Sequence, residues 1–180
     1  MGTSCTNQWL TNFLNRMAKL DRVDMFAVEE YTPRTYGAEN LRVICQVPVP
    51  LMKEFCKTHE PRPGTVFGLA SYVNLQYDSH MPMFDIDSRY VDEPEAGVME
   101  FAGNLQEALD YGPVHILKTT HGFHVLGEGT MPWIDYELWL EQKDIVDKKF
   151  AQWSIDRGYG TLRFTAGGVK TGVPKLWRTI

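Results

Sequence analysis

The sequence predicts an α+β fold, and three observations lead there. Segments with strand-like alternation and segments with helical spacing are interleaved, without the strict strand–helix repetition of a parallel sheet. Turn signals such as Glu60-Pro61-Arg62-Pro63-Gly64 and Gly112-Pro113 cut the chain into short elements. A length of 180 residues, with 43% hydrophobic and 23% charged, suits one domain over residues 1–180 with a core of its own.

Taken in order, Thr6 is placed to cap a helix from about Asn7 to Lys19, where Trp9, Leu10, Phe13, Leu14 and Met17 recur at helical spacing. Two strand-like runs follow, Met25 to Tyr31 and Leu41 to Val47, separated by Pro33, Arg34 and Gly37. Pro50 is suited to the first turn of a short helix reaching about Lys57. Thr65 to Val73 and Pro82 to Asp87 read as strands. Glu95 to Tyr111 is the clearest helix, with Val98, Phe101, Ala102, Leu105, Ala108 and Leu109 on one face and Gly112-Pro113 as its stop. Val114 to Lys118 and Phe123 to Leu126 read as strands on either side of a turn, and Gly127 to Pro132 as a loop. A helix is expected over Asp135 to Gln142, then a short extended piece at Asp144 to Asp147. The next helix runs from Lys148 to Arg157, with Asp147 as N-cap and Gly158 as C-terminal stop. Tyr159 to Thr165 is read as a strand and Ala166 to Gly172 as a glycine-rich loop, with no element assigned after it.

Composition excludes several classes. No apolar run approaches a membrane span, and the N-terminal stretch lacks a signal-peptide pattern, so a cytoplasmic setting and no membrane partner are expected. Cys5, Cys45 and Cys56 have no C-x-x-C spacing, which argues against a disulfide framework and a structural zinc. A net charge of −5 does not advertise nucleic-acid binding, though it leaves room for a local basic groove.

Three stretches carry chemistry. In Met83-Phe84-Asp85-Ile86-Asp87-Ser88, strand alternation puts Asp85 and Asp87 on one face, with Phe84 and Ile86 on the other. Two like charges side by side are costly unless a cation lies between them, and a hard divalent ion favours one or two carboxylates plus substrate phosphates. The plainer reading is a strand end with solvated acids. In Lys118-Thr119-Thr120-His121-Gly122-Phe123-His124-Val125, a cation, hydroxyls and imidazoles surround a glycine that would let backbone N–H groups approach an anion. The plainer reading there is a polar hairpin turn. In Tyr159 to Gly172, Thr161 and Arg163 share a strand face, and Lys170 lies among glycines. The loop lacks P-loop form, because Gly172-Val173-Pro174 follows Lys170-Thr171 where a helix should open.

Together and in this order, these stretches resemble the catalytic core of archaeo-eukaryotic primases and primase-polymerases, over roughly residues 65 to 175. The family also includes the polymerase domain of bacterial end-joining ligases. Phe84-Asp85-Ile86-Asp87 looks like its first motif, an apolar strand with an acid pair. Thr119 to Val125 is similar to the second, with His121 where a Lys or Arg usually stands. Thr161-Leu162-Arg163-Phe164 and Lys170-Thr171-Gly172 look like the last. The family's third acid fits best at Asp147, after Ile145-Val146, with Asp156 as the alternative. The family's zinc element and the histidine of its final turn have no counterpart here.

The resemblance implies a primase-polymerase fold, an RRM-like antiparallel sheet with a second small α/β lobe. It also implies template-directed nucleotidyl transfer from NTPs or dNTPs, as a DNA primase or primase-polymerase using two Mg²⁺ or Mn²⁺ ions. Asp85, Asp87 and Asp147 would be the catalytic metal ligands. Thr119, Thr120, His121, Gly122, His124, Arg163 and Lys170 would hold the nucleotide. The implied partners are nucleoside triphosphates, a DNA or RNA template, a primer strand, and a helicase or other replication proteins. The alternative is a non-catalytic subunit of a replication complex that binds nucleotide or single-stranded nucleic acid.

Overall fold

The computed structural model describes residues 8–33, 43–76, 78–88, 92–142, 144–167 and 172–180. Within them the expected mixture of helices and antiparallel strands is present. Helix α1 (Gln8–Met17) precedes strands β1 (Met25–Tyr31) and β2 (Val43–Pro48). A single 3₁₀ turn, Val49–Leu51, contains Pro50 and leads into α2 (Met52–Thr58). Strands β3 (Val66–Ala70) and β4 (Met83–Asp87) follow, then α3 (Pro94–Ala108). The hairpin β5 (Val114–Lys118) and β6 (Gly122–Gly127) leads to α4 (Trp133–Gln142) and α5 (Lys148–Arg157), and β7 (Thr161–Arg163) and β8 (Lys175–Thr179) close the described chain.

The strands form two antiparallel sheets of equal strand number, in the orders β2-β1-β3-β7 and β4-β6-β5-β8. In the second sheet β4 and β5 are joined through α3 while β6 lies between them, a split β-α-β arrangement. The last strand adds beside β5, leaving β4 as an edge; β7 is an edge of the first sheet, and the two edges touch.

Alternation explains the layers. Phe84 and Ile86 pair across the ladder with Val125 and Phe123, and all four are buried. On that face the Phe84 ring centroid lies 5.0 Å from Phe101 of α3, 5.4 Å from Tyr136 and 5.9 Å from Trp139 of α4. The opposite face carries His115, Leu117, His124 and Leu126; α1 covers part of it, with Phe13 edge-on to His115 at 5.5 Å. One continuous core joins both sheets and α1 to α5. Among the described residues no helix is long and apolar enough to cross a membrane.

Local chemistry sets the boundaries. The N-cap Asp147 accepts a hydrogen bond from Phe150 N at 2.7 Å, and Gly158 ends α5 at φ 76°. Helix α3 stops at Ala108, three residues before the expected end, because Asp110 (φ 53°) and Tyr111 (φ 63°) turn left-handed. Strand β8, which no sequence pattern pointed to, pairs with β5 across a bulge between Ile116 and Leu117. Thr6, Arg34, Gly37, Leu41, Lys170 and Thr171 lie outside the described residues.

Candidate functional site

The acid strand β4 lies beside β6 in a register that pairs Asp85 with His124 and Asp87 with Gly122. Directly opposed residues share a face, so the two carboxylates and the imidazole stand together. Asp85 Oδ1 is 3.8 Å from His124 Nε2. The Asp85 side chain is 40% exposed and that of His124 9%, so the acid sits at a mouth with the imidazole behind it. Asp87, one step along the strand, is buried.

The β5–β6 turn is closed by Thr119 N donating to the Gly122 carbonyl at 2.9 Å. The His121 carbonyl accepts from Ser88 N at 3.2 Å and Ser88 Oγ at 2.8 Å, so main chain ties this turn to the end of the acid strand. Thr120 and His121 are exposed, and Thr119 Oγ1 lies 3.4 Å from His121 N. Gly122 has a reason that the sequence reading did not include. A Cβ there would collide with the Ile86 carbonyl and come within 3.1 Å of Ser88 N. Close approach of β4 requires the glycine.

Asp147 lies on the other edge of β4. Val146 bridges Ile86, and Asp147 N donates to the Asp85 carbonyl at 2.8 Å. Its carboxylate is turned to the N-terminus of α5, where Oδ1 takes the Phe150 N–H. Asp156 is exposed near the far end of that helix, where it accepts from Gln152 Nε2 at 2.8 Å. The two acids are nine positions apart along α5, roughly 13 Å of helix rise. The structure thus brings Asp147, and not Asp156, beside the acid pair, though its backbone makes the contact.

Arg163 comes from the first sheet. Burial pulls its guanidinium pKa down, while Tyr31 and the Asp85 carboxylate act the other way. Its Nη1 donates to the Thr165 carbonyl at 2.9 Å and to the Gly172 carbonyl. Gly172 also lies near Thr120, whose Oγ1 would be 3.8 Å from a Cβ at that glycine. The described end of the third stretch therefore reaches the turn of the second. His124 and Arg163 line one narrow crevice between the sheets, together with Leu69, Leu117, Leu126 and Leu162. Its volume of about 20 Å³ is roughly the space of one water.

The donor chemistry fits a hard divalent ion. Asp85 and Asp87 present carboxylates on one face, and Mg²⁺ sites commonly use one or two carboxylates completed by substrate phosphates. Among the described residues no three of His, Cys, Asp or Glu are gathered as a metal cage. The Asp147 carboxylate is engaged as the cap of α5.

Sequence reasoning missed a second polar cluster. Glu29 of β1 is fully buried and accepts from Thr161 Oγ1 at 2.7 Å and Tyr159 OH at 3.3 Å, with Arg157 Nη1 at 3.6 Å. The signal was available: Glu29 sits mid-strand after Met25-Phe26-Ala27-Val28, the same pattern that drew attention to Asp85. Neither a scan against protein-family models nor a search of curated proteins finds a match for the chain.

Proposed function

We propose that the chain is a template-directed nucleotidyltransferase of primase-polymerase type, working from the seam between its two sheets. The observation that supports it best is convergence. Three stretches far apart in sequence place Asp85 against His124, Asp147 N on the Asp85 carbonyl, and Arg163 within electrostatic reach of Asp85.

In this reading Asp85 and Asp87 would hold Mg²⁺ or Mn²⁺, with Asp147 joining once its side chain turned from the helix cap. Bound there, the ions would supply a lowered pKa for a primer hydroxyl and charge neutralisation at the α-phosphate. The residues of the chain do the positioning. Asp85, open at the mouth, meets the reacting end of the substrate. His124, nearly buried behind it, donates a hydrogen bond to a phosphate oxygen from a fixed ring. Arg163, already desolvated, faces the outer phosphates at full positive charge, where a fixed cation is worth more than in water. The Thr119 to His121 turn adds hydroxyl and imidazole donors, and Lys170 adds a cation. A cytoplasmic replication setting, with a helicase or similar partner, belongs to the same proposal.

The test is extension of a primed template with labelled nucleotides and Mg²⁺ or Mn²⁺. Wild type is expected to extend, and Asp85→Asn and Asp87→Asn each to lose about a hundredfold or more. Unimpaired extension by Asp85→Asn would remove the assignment. A second reading, a nucleotide or single-strand binder without catalysis, is favoured by one observation, the commitment of Asp147 to its helix cap. Wild type that binds triphosphate yet never incorporates it would select that reading.

A further inference from the structure

Strand β8 closes the second sheet at the edge opposite the acid strand, and among the described residues no strand pairs with its outer side. Val114 and Ile180 exchange both main-chain hydrogen bonds, with Val114 N donating to the Ile180 carbonyl at 3.1 Å and Ile180 N to the Val114 carbonyl at 3.0 Å. Along an antiparallel ladder, bonded and non-bonded pairs alternate. Leu117 and Leu176 are therefore a non-bonded pair, and the N–H and C=O of Leu176 point to the open side. Those of Thr179, opposite His115, do the same.

The bulge in this pairing decides which side chains share a face. Lys175 stands opposite Lys118 and Arg178 opposite Ile116, and Trp177 is the extra residue between the partners of Ile116 and Leu117. It puts Trp177 and Arg178 on one side in succession, where plain alternation would have separated them. Two cations lie 4.7 Å from the centroid of the Trp177 ring, Lys118 Nζ and Arg178 Cζ, and the Phe123 ring lies 5.4 Å away. Lys175 and Arg178 are exposed and Trp177 is half-buried. Lys118, the cation that opens the second chemical stretch, is thus drawn to this edge. It pairs with Glu95 Oε1 at 2.6 Å, and both side chains are open to water. Among the described residues, ion pairing gives Lys118, Lys175 and Arg178 one carboxylate, on a chain whose net charge is −5.

We propose that β8 is a docking edge for an acidic polypeptide segment, which adds as an extended strand with its main chain on Leu176 and Thr179 and its carboxylates on Lys175, Arg178 and Lys118. In strand addition the main chain gives affinity and alternate side chains give specificity. Acids at every second position fall on the cationic face, and apolar residues between them fall on the side of Leu176, which is 42% exposed. An incoming carboxylate can replace Glu95, because an open ion pair holds its members weakly. A second copy of β8 does not fit: it would set Lys175 and Arg178 against like charge, and charged side chains on an edge keep such strands apart. A nucleic acid could meet the cations but lacks a strand-spaced row of N–H and C=O groups for Leu176 and Thr179. The edge lies across the sheet from Asp85, so the proposal does not rest on the nucleotidyl-transfer reading.

The experiment is fluorescence anisotropy of the full chain with a labelled peptide of alternating Asp and Val at low salt. Wild type is expected to bind it, and to bind a peptide of alternating Lys and Val about tenfold or more weakly. Lys175→Glu and Arg178→Glu, at exposed positions, should each weaken binding about tenfold, and Glu95→Gln, which frees Lys118, should tighten it about threefold. Leu176→Pro removes an N–H that serves no ladder bond, so the fold should persist in circular dichroism melts while binding falls about tenfold. The Asp-Val peptide N-methylated at every residue keeps its charge but donates nothing, and should not bind wild type. Undiminished binding by both Lys175→Glu and Arg178→Glu overturns the docking edge. Equal binding of the N-methylated peptide overturns strand addition whether or not Leu176→Pro folds, and wild type that binds no acidic peptide overturns the proposal outright. Oligo-dT that binds more tightly than the acidic peptide, and is lost in Arg178→Glu, overturns it in favour of a nucleic-acid patch.

Discussion

Replacing Gly122 by alanine should separate strand pairing from every other role of that glycine. The added Cβ would meet the Ile86 carbonyl, part of the acid-strand backbone, with Ser88 N 3.1 Å away. Neither neighbour is a flexible side chain, so relief requires β4 and β6 to part where Asp87 faces Gly122. Overpacking of this kind costs about 1–3 kcal/mol, and weakening a turn or ladder hydrogen bond adds about 1 kcal/mol. A total near 3 kcal/mol would lower the Tm of a chain this size by about 10 °C. Gly103 is the control. It lies within α3 with open space where its Cβ would be, so Gly103→Ala should stabilise by about 0.5–1 kcal/mol and raise Tm by about 2 °C. Circular dichroism melts of the three proteins measure both shifts. If Gly122→Ala melts within about 2 °C of wild type, the backbone of β4 does not press on Gly122. The register that sets Asp85 opposite His124 is then wrong.

Two further outcomes follow from side chains already placed. Asp147→Ala removes the Phe150 N–H acceptor and should cost about 1 kcal/mol in urea unfolding, while Asp147→Ser keeps a capping oxygen and most of that stability. If the carboxylate also serves as a ligand, extension by Asp147→Ser falls about a hundredfold despite intact stability, and Asp156→Ala changes neither; equal activity of wild type and Asp147→Ser confines Asp147 to the cap. His115 is held below its ordinary pKa of 6.5, chiefly by burial, against the opposing pull of Glu128, whose carboxylate is 2.5 Å from Nε2. With Nε2–H donating to Glu128 and Nδ1 accepting from the Thr179 hydroxyl at 2.8 Å, the folded state prefers the neutral ring. That stability is complete above the unfolded value of 6.5 and is lost as pH falls through the lower folded value, by about 1.4 kcal/mol for each unit between the two. Urea midpoints of wild type and His115→Gln should therefore converge on acidification from about pH 7.5 to about pH 5; a constant difference refutes the neutral assignment.

Some of this was readable from sequence because the relevant physics is local. Asp147 and Gly158 bracket α5 since a capping oxygen and a left-handed residue act within one turn of chain. Asp85 and Asp87 share a face because strand alternation needs no partner to operate. Other features depend on neighbours distant in sequence. Strand β8 follows Gly172-Val173-Pro174 and is exposed along most of its length, so it carries no alternating apolar signal; its identity comes from the open edge of β5. The steric need at Gly122 was not legible because the chain does not say that β4 will lie against it. Glu29 is surrounded by Thr161, Tyr159 and Arg157, which lie far from it in sequence. The end of α3 was misplaced because Asp110 and Tyr111 turn left-handed before the glycine that usually signals the stop.

The position of Asp147 has a structural cause that owes nothing to catalysis. Strand β4 is an edge strand, and an uncovered edge invites pairing with other chains. Bridging by Val146, with Asp147 N on the Asp85 carbonyl, covers part of that edge, and the same residue then starts α5. Proximity of Asp147 to the acid pair would arise from these needs alone. Asp85 is different. A sheet position opposite His124 is more often filled by a β-branched or aromatic residue, whereas Asp85 sets a carboxylate 3.8 Å from the imidazole across the ladder. Half-exposed, facing a nearly buried imidazole, with Arg163 within electrostatic reach from a second sheet, Asp85 is where groups from both sheets converge. A chemical role is therefore better argued from Asp85 outward than from the number of acids gathered around it.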